Sequence, residues 1–114
     1  MTYDLEERTA KFGESIILFA KRIKPSEITR PLINQIVRSA TSIGANYMEA
    51  NEASSKKDFR NKINICRKES NETKHWLRMI AVAVSDEKDA CKVFWREAHS
   101  LTLIFSKIAK SSVE

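Results

Sequence analysis

The sequence predicts an all-α protein, an up-down-up-down antiparallel four-helix bundle. Three observations indicate this fold class. The 114 residues include only two glycines and two prolines, which leaves little material for turns. Four segments carry apolar residues in alternating steps of three and four, the spacing of one helix face. The connections between these segments are short, which favours antiparallel neighbours, and we expect a single domain over residues 1–114.

The first helix is predicted from about Leu5 to Ile23. Asp4 and Glu7 have the spacing of a capping box at its start. Ile17 and Ala20 widen its apolar seam into a face that suits a globular bundle. The seam itself comprises Leu5, Thr9, Phe12, Ile16, Phe19 and Ile23.

The second helix is predicted to begin near Pro31 and to run to about Asn51. Proline suits the first turn of a helix, where a missing N–H has no partner to lose. Gly44 lies in the middle of this helix and costs roughly 1 kcal/mol relative to alanine there. We therefore expect a neighbouring backbone to approach it closely, and Gly13 of the first helix has the same interpretation. The apolar face comprises Ile33, Ile36, Val37, Ala40, Ile43, Gly44 and Tyr47.

The third helix is predicted to follow Ser55 and Asp58, which have capping-box spacing. Its seam is polar in the middle and comprises Phe59, Ile63, Cys66, Ser70, Thr73, Leu77, Ile80 and Val84. The segment Ser85, Asp86 and Glu87 predicts a break and the acidic start of a fourth helix. The face of that helix comprises Cys91, Phe94, Ala98, Leu101, Phe105 and Ile108.

A line of polar residues follows the second helix beside its apolar face. We expect Arg38, Ser42, Asn46 and Glu49 to face Glu69, Ser70, Glu72 and Thr73, since the connection at residues 52–55 is antiparallel. One interpretation is a network that sets the helix register, with Arg38 paired to a carboxylate. The alternative is a groove that faces a ligand or another subunit. The predicted network comprises Arg38, Ser42, Asn46, Glu49, Glu69 and Glu72.

Positive charge is concentrated in the third helix. The formal net charge of the chain is +5, and residues 56–78 hold eight bases against three acids, an excess equal to that of the whole chain. A localised excess favours a surface that faces a polyanion, and a solvated helix face is the ordinary alternative. Trp76 and Trp95 are expected to be core or interface anchors rather than base-stacking platforms. Nucleic-acid contact is predicted for Lys56, Lys57, Arg60, Lys62, Arg67 and Lys68.

Metal-binding patterns in the sequence are incomplete. Glu72 and His75 form one Glu-x-x-His pair, whereas a di-iron bundle needs two such pairs. Glu97 and His99 are two residues apart, so they point to different helix faces. The four residues that could gather around zinc lack a chelating spacing: Cys66, His75, Cys91 and His99. The sequence therefore predicts no metal and no cofactor.

Catalytic patterns are also incomplete. One class of helical-bundle nuclease uses an arginine and a histidine at a spacing that neither Arg67 with His75 nor Arg96 with His99 reproduces. No glycine-rich phosphate loop or nucleophilic triad is indicated. The sequence therefore predicts a protein that is not an enzyme, with a nuclease or a metal-dependent oxidase as the minor alternative.

The cysteines and the N-terminal segment bear on the compartment. Cys66 and Cys91 have apolar neighbours in helical patterns, which favours buried free thiols in a reducing compartment. No apolar run approaches the roughly 20 residues of a membrane span, and the first residues are charged rather than signal-like. These features predict a cytoplasmic protein.

The centre of the chain carries the motif Ser-Ile-x-x-Asn-x-x-Glu at residues 42–49, followed by Ser-x-x-Asp-Phe at residues 55–59. With the residues around it, over residues 30–80, it resembles the four-helix bundle protein family. That family includes proteins encoded by intervening sequences of bacterial 23S rRNA genes and, more distantly, the accessory variability determinant of diversity-generating retroelements. The resemblance rests on Gln35, Arg38, Ala40, Ser42, Ile43, Ala45, Asn46, Glu49, Ser55, Asp58, Phe59, Lys68, Glu69, Glu72, Thr73, Trp76 and Leu77.

The resemblance implies a bundle that assembles into a homopentamer. It also implies a basic surface that binds RNA, DNA or a nucleic-acid enzyme such as a reverse transcriptase. Many members have glycine directly after the motif glutamate, whereas this chain has Ala50, and the departure concerns the end of the second helix. A module that binds only protein is the alternative function.

Overall fold

The computed structural model describes residues 4–112 and contains four long helices within that range. Helix α1 spans Leu5–Lys21, α2 spans Thr29–Asn51, α3 spans Lys56–Ala83 and α4 spans Lys88–Ser111. A single 3-10 turn, Ser85–Glu87, joins α3 to α4 at the predicted break, and no strand occurs within residues 4–112. The predicted all-α bundle is confirmed. The first three and last two residues of the predicted domain lie outside the described residues.

At the starts of α1 and α3 each predicted capping box forms its N-cap hydrogen bond, whereas the reciprocal bond to the Glu7 or Asp58 carboxylate does not form within residues 4–112. The side chain of Asp4 accepts a hydrogen bond from the N–H of Glu7 at 3.2 Å. The Ser55 hydroxyl accepts one from the N–H of Asp58 at 3.0 Å. Each cap satisfies a backbone donor that the first turn of a helix leaves without a partner.

The end of α1 and the start of α2 each lie two residues before the predicted position. Helix α1 ends at Lys21, because the N–H groups of Arg22 and Ile23 bond to carbonyls only three residues earlier. Helix α2 begins at Thr29, so Pro31 lies within its first turn as expected. The motif Ala50 lies inside α2, which ends one residue later.

The helices pack antiparallel in chain order. Helix α3 contacts both α2 and α4 along their lengths, whereas α1 packs chiefly against α2 and meets α4 through side chains. A Cβ atom at Gly44 would lie 3.3 Å from Thr9 Oγ1, and one at Gly13 would lie 3.6 Å from Thr41 Cα. The expected close approach of α1 and α2 at both glycines is confirmed.

The core contains the predicted apolar seams and one polar level. Phe19 packs on Phe94 with ring centroids 5.2 Å apart, and both seams contribute to one continuous cluster. Ser39 Oγ and Thr73 Oγ1 share a buried hydrogen bond of 2.8 Å between α2 and α3. Within residues 4–112 every buried side-chain nitrogen and oxygen has a hydrogen-bond partner, so the polar level is satisfied.

No helix within residues 4–112 has both the length and the apolar character needed to cross a membrane.

Candidate nucleic-acid interface

The bases of α3 divide between three sides of the helix. Lys56, Arg60 and Arg67 follow one another at steps of four and seven residues, so they lie on one side of the helix. This side faces α4, because Arg60 donates to the carbonyl oxygen of Ser112, at the end of α4, at 3.3 Å. Lys57 and Lys68 are exposed on the outer side. Lys62, in contrast, faces α2. Five of the six predicted residues therefore lie on two adjacent sides of α3, and Lys62 lies on the third.

Lys62 is neutralised by α2. Its Nζ lies 2.8 Å from Glu49 Oε1, and the hydrogen bond to Glu49 raises the pKa of Lys62, with the nearby charge of Asp58 acting in the same direction. A paired lysine contributes less positive potential to an external polyanion. Lys62 is the predicted site residue least suited to contact nucleic acid.

The side facing α4 continues beyond the predicted set. Lys74 and Arg78 follow Arg67 at steps of seven and four, so they extend the same side toward the end of α3. Sequence reasoning counted both residues but did not assign them to the site, although the spacing was available to find them. We call the basic face the seven residues Lys56, Lys57, Arg60, Arg67, Lys68, Lys74 and Arg78.

The carboxylates of α3 are turned away from the basic face. Arg38 of α2 donates to Glu69 at 3.1 Å and also to Glu72, which confirms the expected arginine–carboxylate pairing. Trp76 donates its ring N–H to Glu72 Oε2 at 3.0 Å. The Arg38 side chain is 47% exposed and that of Glu69 only 15%, so the cluster lies at the edge of the α2–α3 contact.

The remaining predicted network residues do not join this cluster. Glu49 was expected at the same level, and that expectation was wrong, because Glu49 lies about three helical turns beyond Arg38. Because α2 and α3 are antiparallel, a residue nearer the end of α2 contacts a residue nearer the start of α3, and Glu49 therefore pairs with Lys62. Asn46 Nδ2 donates to the Ser42 carbonyl at 2.9 Å within α2. No hydrogen bond joins the Ser42 or Asn46 side chain to α3 within residues 4–112.

Charge on α3 is consequently segregated. Among residues 4–112, no member of the basic face has a carboxylate within salt-bridge distance, whereas Lys62, Glu69 and Glu72 all have partners on or toward α2. Exposed cations without local counter-charges give the strongest external potential. The basic face is therefore a positive surface that no salt bridge within residues 4–112 neutralises.

An aromatic cluster borders the basic face on α4. Trp95 stacks on His99 with ring centroids 5.0 Å apart and an interplanar angle of 18°. Lys74 Nζ lies 5.2 Å from the centroid of the Trp95 ring and 3.0 Å from His99 Nδ1. Trp95 is 40% exposed and lies outside the core, so it is not a core anchor, and the other role expected for it, an interface anchor, stays a prediction. Trp76 packs partly against the core.

The thiols do not contribute a reactive group. Burial raises the pKa of Cys66 to about 12 and that of Cys91 to about 11. Only the thiolate is a nucleophile or a metal ligand, so both cysteines are unreactive in the folded chain at neutral pH. Within residues 4–112, no three His, Cys, Asp or Glu side chains gather in an arrangement that could hold a metal ion.

An open groove of about 630 Å³ lies between α1 and α4. Two of its charged side chains pair with each other, because Arg8 donates to both carboxylate oxygens of Glu97 at 2.8 Å, and Arg8 also donates to Ser100 Oγ at 2.9 Å. The ion pair links α1 to α4, which is a structural role and does not indicate a ligand site.

Comparison with known proteins gives a family and a fold. The family model described as 23S rRNA-intervening sequence protein matches residues 2–92. No curated protein matches the chain. A crystal structure from Bacteroides thetaiotaomicron, of a protein with unknown function from the S23 ribosomal protein family, is similar with a TM-score of 0.82 and 30% sequence identity. That match covers 92% of this chain and 97% of the other.

Proposed function

The chain belongs to the 23S rRNA-intervening sequence protein family, and on that premise we propose that it is a non-enzymatic protein whose basic face binds nucleic acid. The observation that carries the proposal is the segregation of charge on α3. The acids of the helix lie toward α2, where Arg38 holds two of them, while the bases of the basic face have no carboxylate partner within residues 4–112.

The shape of the basic face suits a polyanion. Lys56, Arg60, Arg67, Lys74 and Arg78 run along one side of a helix of 28 residues, which is about 42 Å long at 1.5 Å per residue. Phosphate groups recur along a nucleic-acid strand, so a linear row of cations can neutralise several of them at once. Such contacts need positive charge and little geometry, which makes binding without sequence preference the expected behaviour.

Charge reversal tests this proposal. The triple variant Lys56→Glu, Lys57→Glu and Arg60→Glu is expected to lose retention of mixed-sequence RNA and DNA in a gel-shift assay at low salt, because repulsion replaces attraction at one end of the basic face. The matched control, Lys11→Glu, Lys21→Glu and Lys24→Glu, changes the net charge equally but lies on α1 and the loop after it. Unchanged retention by the α3 variant, with its helical circular dichroism intact, contradicts the proposal.

We also propose that the chain forms a homo-oligomer, a pentamer in the form that the family resemblance implies. Ile17 and Met48 are 40% and 57% exposed and line a groove between α1 and α2. The exposed acids Glu6 and Glu14 line the same groove, so its charge is opposite to that of the basic face. An exposed apolar groove favours contact with another copy of the chain. A head-to-tail contact through this groove closes into a ring when the rotation between neighbouring copies closes.

The mass of the native protein tests assembly. Light scattering is expected to give a multiple of the 13.1 kDa chain mass, five-fold for a pentamer. Met48→Lys places a charge in the apolar groove and is expected to lower the mass, whereas Leu103→Lys, at an exposed apolar residue of α4, serves as the control. A wild-type mass of one chain at micromolar concentration rules out the oligomer.

The exposed apolar residues on α1 and α2 also favour a second candidate function, a module that binds only protein. In that case light scattering shows the oligomer while gel shifts stay blank at low salt. Enzymatic activity has the least support, and cleavage of RNA or stoichiometric metal in untagged protein would restore it.

A further inference from the structure

We propose that Trp95 is a stacking platform for an unpaired nucleobase, so that the α3–α4 surface binds single-stranded RNA or DNA in preference to duplex. This inference rests on the nucleic-acid binding proposed above and adds the form of nucleic acid that is bound. It departs from the expectation that sequence alone gave for this tryptophan.

The two groups that contact the Trp95 indole approach it from one side. Lys74 Nζ lies 5.2 Å from the centroid of the Trp95 ring, and the His99 ring centroid lies 5.0 Å from it. If the two groups lay on opposite faces of the indole, the distance between them would be roughly the sum of these two distances. Lys74 Nζ is instead only 3.0 Å from His99 Nδ1. Both partners therefore meet Trp95 from the same side, and the residue is 40% exposed, so part of its surface is accessible to a base.

The partners also hold the aromatic rings in place. A lysine ammonium has donors only, so Lys74 donates and His99 Nδ1 accepts. The ring proton of neutral His99 then lies on Nε2, which has no hydrogen-bond partner within residues 4–112. This N–H is available to a phosphate or to the edge of a base beside Trp95. A platform that is ordered before binding loses little entropy when the base stacks.

Two further cations lie one helical turn from Lys74 and Trp95. Arg78 lies one turn beyond Lys74 on α3, and Lys92 lies one turn before Trp95 on α4, both exposed. Glu97, the acid nearest to Trp95 in sequence, is turned toward α1, where it is paired with Arg8. The phosphates on either side of a stacked base would thus meet positive charge, the combination that single-strand binding surfaces use.

Base pairing decides the selectivity. In a duplex each base is stacked between its neighbours, so its faces are not free to meet a protein ring. An unpaired base exposes a face, and every base has one, so stacking on Trp95 is tolerant of sequence. The basic face alone predicts binding of both forms, whereas the platform adds affinity only for the single strand.

Fluorescence and affinity measurements test the platform. In the Trp76→Phe background Trp95 is the remaining tryptophan, and its emission is expected to be quenched by a mixed-sequence RNA strand but not by the same strand annealed to its complement. Trp95→Ala is expected to weaken single-strand binding by roughly 5- to 150-fold and to leave duplex binding unchanged. Trp95→Phe keeps an aromatic plane and should retain most of the affinity, and Leu103→Ala on the same helix is the matched control.

The possible results separate the two proposals. Equal single-strand affinity for wild type and Trp95→Ala, or an equal loss for single strand and duplex, overturns the platform while leaving the basic face intact. Absence of single-strand quenching in the Trp76→Phe background overturns it as well, even if Trp95→Ala does not fold. If the wild-type chain binds neither form at low salt, the proposed function fails and the platform fails with it.

Discussion

Burial determines the chemistry of individual side chains in this bundle. Cys66 and Cys91 have raised pKa values because their thiolates would be poorly solvated in the core. Lys62 has its pKa raised by a different cause, the hydrogen bond to Glu49 at the surface. The pKa is raised at all three residues, but the cause depends on what surrounds each side chain in space.

The buried thiols predict a loss of stability at alkaline pH. Below the ordinary value of 9.0 both the folded and the unfolded chain keep the thiol protons, and the free energy of unfolding is unaffected. Above it, the unfolded chain releases protons that the folded chain retains up to about pH 12 at Cys66 and about pH 11 at Cys91. The free energy of unfolding should fall by about 1.4 kcal/mol per pH unit for each thiol in this range.

Urea denaturation at a series of pH values measures this effect. Cys66→Ala is expected to lower stability at neutral pH and to have a shallower pH dependence above pH 9.0, because one of the two titrations is removed. The other titratable groups are the same in the wild type and in Cys66→Ala. The difference between the two slopes of unfolding free energy against pH therefore reports on the Cys66 thiol. Identical slopes would show that Cys66 is not protected by burial.

The two glycines predict different responses to alanine. At Gly13 an added Cβ would make ordinary contacts with Thr41 at 3.6 and 3.7 Å, so the gain in helix propensity is expected to raise the free energy of unfolding by about 0.5–1 kcal/mol. At Gly44 the Cβ would lie 3.3 Å from Thr9 Oγ1, which donates to the Leu5 carbonyl at 2.6 Å and is held in place. Gly44→Ala should gain less than Gly13→Ala in the same denaturation experiment, and the reverse order would contradict the packing described.

Helix ends and helix pairs form the next scale. Caps act within one turn, so Asp4 and Ser55 begin their helices independently of the rest of the bundle. Pairing between helices depends instead on axial level. Arg38 meets Glu69 and the hydroxyl of Ser39 meets that of Thr73 at one level of the α2–α3 contact.

The cap of α3 gives a prediction about a whole element. Ser55→Ala removes the acceptor for the Asp58 N–H and is expected to lower the free energy of unfolding by about 1 kcal/mol. Ser54→Ala is the matched control, since its exposed side chain makes no hydrogen bond within residues 4–112. Thermal or urea denaturation compares the two variants, and equal stabilities would show that the cap does not support α3.

At the scale of the molecule, the bundle separates charge by helix. The α3–α4 side carries the basic face and the Trp95 cluster, while the groove between α1 and α2 is apolar and lined by acids. The fold itself is similar to that of a protein from the S23 ribosomal protein family over most of both chains. Function is therefore proposed from the surfaces that this shared bundle presents, because one fold supports many functions.

Salt dependence measures how many phosphates the basic face contacts. The logarithm of the binding constant for single-stranded RNA is expected to fall linearly with the logarithm of salt concentration, with a slope of about −0.7 per phosphate neutralised. Neutralising Lys56, Lys57 and Arg60 to glutamine should reduce that slope by about 2. The same change at Lys11, Lys21 and Lys24 should leave it unchanged, and a slope independent of the α3 substitutions would place the contacts elsewhere.

Sequence alone determined the helices, because their signals are local. Apolar steps of three and four, the caps at Asp4 and Ser55, and the break at residues 85–87 act within a few residues of the chain. The tertiary structure decided which side chains meet across helices. Glu49 pairs with Lys62 rather than with the Arg38 cluster, and Lys74 reaches Trp95 on the following helix. Those contacts depend on the axial shift and the rotation between neighbouring helices. An apolar seam that repeats every turn fits several shifts and rotations, so the sequence does not determine them.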